Sequence, residues 1–192
     1  DSVTIALSGG STPKAIFDIL ASEYQNRIKW EKLRFFWGDE RCVKPDDAES
    51  NYGMTRTHLF DKVPVSESNI FRVKGELSPD EAASQYETII RNELPETNGW
   101  PQFDLMILGM GDDGHTASIF PYQIELWDSE KICEVATHPD SGQKRVTLTG
   151  NVINNAKQII FLVTGKNKAG KAHEIINEKG NFKTYPASLV NK

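Results

Sequence analysis

The sequence predicts an α/β domain: a doubly wound, mostly parallel, Rossmann-like sheet flanked by helices. Two observations point there. Short apolar runs at 3–7, 33–37, 103–108 and 158–163 are each followed by a glycine-containing or polar turn. Segments with helical apolar spacing alternate with those runs, the pattern of a parallel sheet with crossover helices. At 192 residues, with no internal repeat, low-complexity stretch or linker, the chain (1–192) reads as one domain.

Val3 to Leu7 (VTIAL) reads as a largely buried strand, because even its alternate positions are small or semi-polar. Ser8 to Thr12 form a turn, and Pro13 suits the first position of a helix whose apolar face carries Ile16, Phe17, Ile19 and Leu20. Leu33 to Trp37 (LRFFW) is a second strand, ending in Gly38-Asp39-Glu40-Arg41. Asn51 to Phe60 reads as a short helix with Met54, Leu59 and Phe60 inward, and Ile70 to Val73 as a short strand. Ser78 as N-cap, Pro79 at N1 and Glu81 at N3 start a helix that runs to about Leu94 and buries Ala82, Tyr86, Ile89 and Ile90. Pro95 and Gly99 break it. The stretch from Phe103 to Pro121 (FDLMILGMGDDGHTASIFP) is a strand, a glycine-rich turn, and two acids and a histidine where a helix is expected to begin. Strands follow at 131–137 and 145–148, a brief helix at 151–156, the strand QIIFLV and a helix from Lys168 to Asn177.

Composition narrows the function classes. The chain is 38% hydrophobic and 26% charged, ordinary for a globular protein. No apolar run approaches the roughly 20 residues needed to span a bilayer, so no membrane partner is expected. A net charge of −5 without a basic stripe argues against nucleic acid, yet a local cluster of Arg and Lys can still hold a small anion. Cys42 and Cys133 are far apart with no metal-ligand spacing, which fits a reducing compartment and a cytoplasmic location.

Several motifs carry chemistry. Strand, glycine turn and helix start at 3–13 present free N–H groups and a helix dipole to an anion; a tight βα connection that needs glycines is the alternative reading. The acids and arginine of 38–41 lie at a strand's carboxyl end, where open α/β sheets bind ligands. Gly109 to Gly114 spells GxGxxG, but Asp112 and Asp113 would repel a pyrophosphate there, and the dinucleotide reading fails. Gly165 to Lys171 nearly spells a P-loop, but Ala172 stands where a magnesium-binding hydroxyl is required. Its lysines, Lys168 among them, remain cations at a strand end. Asp112, Asp113 and His115 are too close on one turn to make a persuasive metal site. Asp113-x-His115 fits base chemistry: imidazole is a good general base near neutral pH, and a carboxylate can fix its tautomer.

Taken together, SGGSTP (8–13), GDER (38–41), GMGDDGHTASIFP (109–121), RVTLT (145–149) and TGKNKA (164–169) resemble the 6-phosphogluconolactonase branch of the glucosamine-6-phosphate deaminase-like group. The resemblance covers nearly the whole chain in family order. It implies that the backbone of Gly9, Gly10, Ser11 and Thr12 lines a sugar-phosphate site. Arg41, Arg145 and Lys168 would supply positive charge, His115 would be the general base supported by Asp113, and Asp39 would lie beside the reacting sugar. The deaminases carry an acid at the position that is Phe120 here, which favours the lactonase side. The implied activity is hydrolysis of 6-phospho-D-glucono-1,5-lactone with no cofactor or metal, and a sugar phosphate as the only implied partner. Measured against the family domain, the chain is expected to lack N- and C-terminal elements.

Overall fold

Residues Val3–Leu7 form β1, and their alternation decides the architecture: Ile5 and Leu7 pack into one core while Ala6 packs into another. The structure, a computed structural model, describes residues 2–190. After β1 come α1 (Ser11–Glu23), β2 (Leu33–Trp37), β3 (Asp39–Arg41), α2 (Asn51–His58) and α3 (Pro79–Glu93). The short pair β4 (Glu96–Thr97) and β5 (Trp100–Pro101) leads to β6 (Leu105–Leu108). The chain continues with β7 (Cys133–Thr137), β8 (Lys144–Leu148), α4 (Gly150–Asn154), β9 (Ile159–Phe161) and α5 (Lys166–Asn177).

The central sheet is parallel, in the order β2-β1-β6-β9. Side chains alternate across it. Phe35 and Trp37 of β2 join Ile5 and Leu7 in a core closed by Phe17 and Ala21 of α1, Tyr52 of α2, and Leu59 and Phe60. On the other face Phe36, Met106 and Leu108 pack with Ala82, Tyr86 and Ile90 of α3 and Val152 and Ile153 of α4. A sheet with a separate core on each face is the doubly wound arrangement expected. Successive strands lie on opposite sides of β1, so the order reverses between β1 and β6, and a crevice opens at their carboxyl ends.

Local features follow their expected causes. The Ser78 N–H donates to Glu81 Oε2 at 3.3 Å and the Ser78 hydroxyl donates to the same oxygen at 2.6 Å, fixing the start of α3. Tyr86 reaches across to β2, donating to the Trp37 carbonyl at 2.8 Å and accepting from its N–H at 2.7 Å.

Five expectations are corrected. Strands β7 and β8 do not join the parallel sheet; they pair antiparallel with each other and with β3, in the order β3-β8-β7. Six residues join them, too few for a parallel crossover, which needs a dozen or more. Beyond Gly38, the chain leaves the parallel sheet and enters this second one as β3. No helix begins at His115: residues 109–120 form turns, with Ala117 at φ 49°, and a 3-10 helix follows only at Pro121–Asp128. Residues 70–73 reduce to one bridge between Ile70 and Phe35. Ile19 is 46% exposed, because the buried stripe of α1 is Pro13, Phe17 and Ala21, and two residues on from Phe17 is about 200° around the helix. Helix α5 starts at Lys166, with Gly165 as its N-cap.

Candidate active site

The turn after β1, the loop after β6 and the first turn of α5 converge with the β3–β8 ladder on one cleft of about 250 Å3. Gly9, Gly10, Ser11, Thr12, Asp39, Arg41, His115, Arg145 and Lys168 all line it. Asp113 stands behind His115 instead of on the wall. Every site residue that the resemblance implies is therefore in the cleft or bonded to a residue that is. A larger groove of about 880 Å3 opens beside it, sharing Gly10, Arg41 and Asn51, but His115 and Lys168 belong to the smaller cleft.

Asp113 and His115 are coupled twice. Asp113 Oδ1 lies 2.6 Å from His115 Nδ1 and accepts the His115 backbone N–H at 3.0 Å. A proton held on Nδ1 by this carboxylate leaves Nε2 with its lone pair. Burial opposes ionisation of Asp113, but the hydrogen bonds and charge of His115 outweigh it and hold the carboxyl below its ordinary value. The loop is built for this contact: a Cβ on Gly111 would lie 2.2 Å from the imidazole ring. Thr116 Oγ1 donates to the Gly109 carbonyl at 2.8 Å, closing the turn. Phe120, fully buried, supports the imidazole from below with ring centroids 4.7 Å apart.

The opposite wall is cationic. Arg41 and Arg145 are direct cross-strand partners on β3 and β8. Like charges placed opposite each other destabilise a ladder unless an anion joins them. Among the described residues, Arg41 Nε is buried without a hydrogen-bond partner. Burial, with the Arg41 charge adding to it and the Asp39 carboxylate opposing it, holds the Arg145 guanidinium below its ordinary value. That guanidinium also lies 5.7 Å from the centroid of Phe120, so the base and a cation share one aromatic support. Helices α1 and α5 point amino ends here, each N-capped by a glycine with no side-chain hydrogen bond. Their first-turn N–H groups suit an anion. Thr12 and Thr164 hydroxyls, 2.7 Å apart, tie the two turns together. Asp112 leaves the cleft to accept from Asn167 Nδ2 at 2.7 Å.

Two residues that bear on the site, Asn51 and Ser118, were not singled out in the sequence. Asn51 Nδ2 donates to the Asp39 carbonyl at 2.9 Å, and its Oδ1 sits so close to Gly9 that a Cβ there would lie 1.8 Å away. Ser118 donates to Asp39 Oδ2 at 2.7 Å and lies 3.5 Å from Arg145 Nη1. Glu40 faces away from the cleft and closes the start of α2. It accepts from the N–H groups of Arg41 at 2.8 Å, Asn51 at 2.7 Å and Tyr52 at 2.8 Å, and from the Ser50 hydroxyl at 3.2 Å. Burial raises the Glu40 pKa to about 6 even against those backbone donors. For Asn51 the usable signal is the N-cap serine that precedes it.

Residues 1–192 match the family described as glucosamine-6-phosphate isomerases/6-phosphogluconolactonase. The chain belongs to that family. It is 53% identical over 164 residues to the 6-phosphogluconolactonase of Treponema pallidum, covering 85% of this chain and 68% of that protein. It is 45% identical over 189 residues to the 6-phosphogluconolactonase of Haemophilus influenzae, covering 98% and 79%. The crystal structure of 6-phosphogluconolactonase from Thermotoga maritima superposes with a TM-score of 0.86 at 32% identity, covering 100% of this chain and 81% of that one. In this chain the loop places Phe120, an apolar ring, against the histidine. Among the described residues, no helix is long and apolar enough to cross a membrane.

Proposed function

We propose that the protein hydrolyses 6-phospho-D-glucono-1,5-lactone to 6-phospho-D-gluconate in the oxidative pentose phosphate pathway, by general-base activation of water. The observation that carries this reading is the Asp113–His115 pair, 2.6 Å apart, facing a wall of Arg41 and Arg145. The names of the relatives support the substrate.

In this reading the substrate phosphate sits among Arg41, Arg145, Lys168 and the backbone of Gly9 to Thr12. Anchoring that remote group places C1 against a water next to His115 Nε2. The water attacks C1 as Nε2 takes its proton. Asp113, already ionised and bonded to Nδ1, stabilises the imidazolium that forms. When the tetrahedral intermediate collapses, the bond from C1 to the ring oxygen breaks and Nε2 returns the proton to that oxygen. The product leaves as an open-chain carboxylic acid that ionises in water. Asp39, held by Ser118, lies close enough to the cleft to orient a sugar hydroxyl. Cytoplasmic residence fits two free cysteines, one buried and one half-buried.

Two assays test the reading together: lactone hydrolysis, and ammonia release from glucosamine 6-phosphate. Hydrolysis without ammonia release is expected. Ammonia release, or hydrolysis that His115→Ala leaves at the parent rate, would overturn it.

A further inference from the structure

The two arginines of the cleft are joined by more than their strands. Arg145 Nε donates to Gln143 Oε1 at 3.3 Å, and Gln143 Nε2 donates to Glu49 Oε2 at 2.9 Å. The backbone carbonyl of Glu49 in turn accepts from Arg41 Nη1. A continuous path therefore runs from one guanidinium to the other through the hairpin carrying β8 and the loop before α2. The middle of that path needs a side chain that accepts at one end and donates at the other. A carboxamide can do both; a carboxylate or an ammonium cannot.

We propose that Gln143 and Glu49 are positioning residues, a strut that holds the Arg41 and Arg145 guanidiniums at one separation, so that they take a phosphate as a preformed pair. The inference rests on the phosphate assignment made above. Neither side chain touches the reacting atoms. Glu49 is exposed and Gln143 half-buried, so neither contributes much to the core. The strut has a further consequence. It keeps the Glu49 carboxylate within the field of Arg145 while Arg145 Nε bonds the Gln143 amide.

Steady-state lactone hydrolysis and calorimetric titration with inorganic phosphate, each on the full chain, test the strut. Gln143→Ala is expected to raise KM by about fivefold, with kcat within about twofold of the parent. Phosphate binding should weaken by the same factor and Tm stay unchanged. Gln143→Glu sets two carboxylates against each other and should raise KM by about tenfold. Adding Glu49→Gln to that variant restores a donor–acceptor pair with the roles exchanged, and should return KM to within about threefold of the parent. An unchanged KM and phosphate affinity in Gln143→Ala, or a double variant no better than Gln143→Glu alone, overturns the strut. If the parent itself does not hydrolyse the lactone, the substrate assignment fails; the phosphate titration then still decides the strut.

Discussion

The two ends of the parallel sheet treat polar groups in opposite ways. At the amino end, Asp104 accepts from the Thr4 N–H and hydroxyl, each at 2.9 Å, and from Lys157 Nζ at 2.7 Å, while the Asp104 N–H donates to Thr4 Oγ1 at 3.0 Å. Charge and hydrogen-bond capacity are matched there, and the network stitches β1 to β6. At the carboxyl end, Arg41 and Arg145 face each other and, among the described residues, Arg41 Nε has no hydrogen-bond partner and two helix starts have no side-chain cap. A fold optimised only for stability would have satisfied those groups internally. The difference separates a closure that stabilises the fold from a surface whose missing partner is the ligand. Substitutions of the unsatisfied, cleft-facing groups at the carboxyl end should therefore cost activity with little stability, and substitutions in the network at the amino end the reverse.

The largest effect belongs to the base. His115→Ala should lower kcat by about 10²–10⁴-fold, the usual worth of a positioned general base. Its thermal unfolding should stay close to the parent's, because the ring borders an open cleft. A kcat within tenfold of the parent would move the base elsewhere. Next comes the cationic wall. Arg145→Ala removes one charge-assisted anchor and should raise KM by about 10–100-fold, equivalent to about 1.5–3 kcal/mol for hydrogen bonds to a charged group. A fall in kcat with KM unchanged would instead place Arg145 at the reacting carbon.

What could be read from the sequence follows the same division. The parallel half is written in local signals: apolar runs of strand length, Pro79 at a helix start, the Ser78 capping box, and Pro13 in a first helical turn, although α1 begins at Ser11 and not, as expected, at Pro13. The His115 loop and the glycine turn are also local, which is why their residues were identifiable one by one. The antiparallel half was not readable in the same way. Residues 39–41 look like a charged loop, and only the pairing with 145–147, more than a hundred residues away, makes them a strand. Asn51 and Ser118 escaped for the same reason, since each acts through Asp39, which tertiary structure alone brings near. Ile19 misled because helical spacing does not say which stripe a short helix will bury.

Glu40 sharpens the comparison through pH. Burial raises its pKa from an ordinary value near 4.5 to about 6, so between those values the folded protein binds more protons than the unfolded chain. Stability from this group is complete below about 4.5 and is lost as pH rises through about 6, a change of about 2 kcal/mol at most. Glu40→Gln presents an amide to four donors and is less stable throughout, but without this slope. The gap between parent and variant in denaturant titrations should narrow by about 2 kcal/mol from pH 4.5 to pH 7. A constant gap would mean that Glu40 is not strained by its site.

Asp104 should respond with the opposite sign, and less. Burial pushes its pKa up, but the Lys157 and Thr4 hydrogen bonds outweigh that and hold it below the ordinary carboxylate value. The folded protein then binds fewer protons than the unfolded chain in the acid range, so the contribution is present at neutral pH and fades as pH falls through the folded pKa. Asp104→Asn keeps one oxygen for Thr4 and loses the ion pair with a largely exposed lysine, so the cost at neutral pH should be about 1 kcal/mol. The cost should shrink in acid, the direction opposite to pairing by a strained group such as Glu40. Throughout, kcat/KM of Asp104→Asn should match the parent, because the whole length of β1 separates this network from the cleft. A variant that keeps its stability but loses turnover would break the division between the two ends.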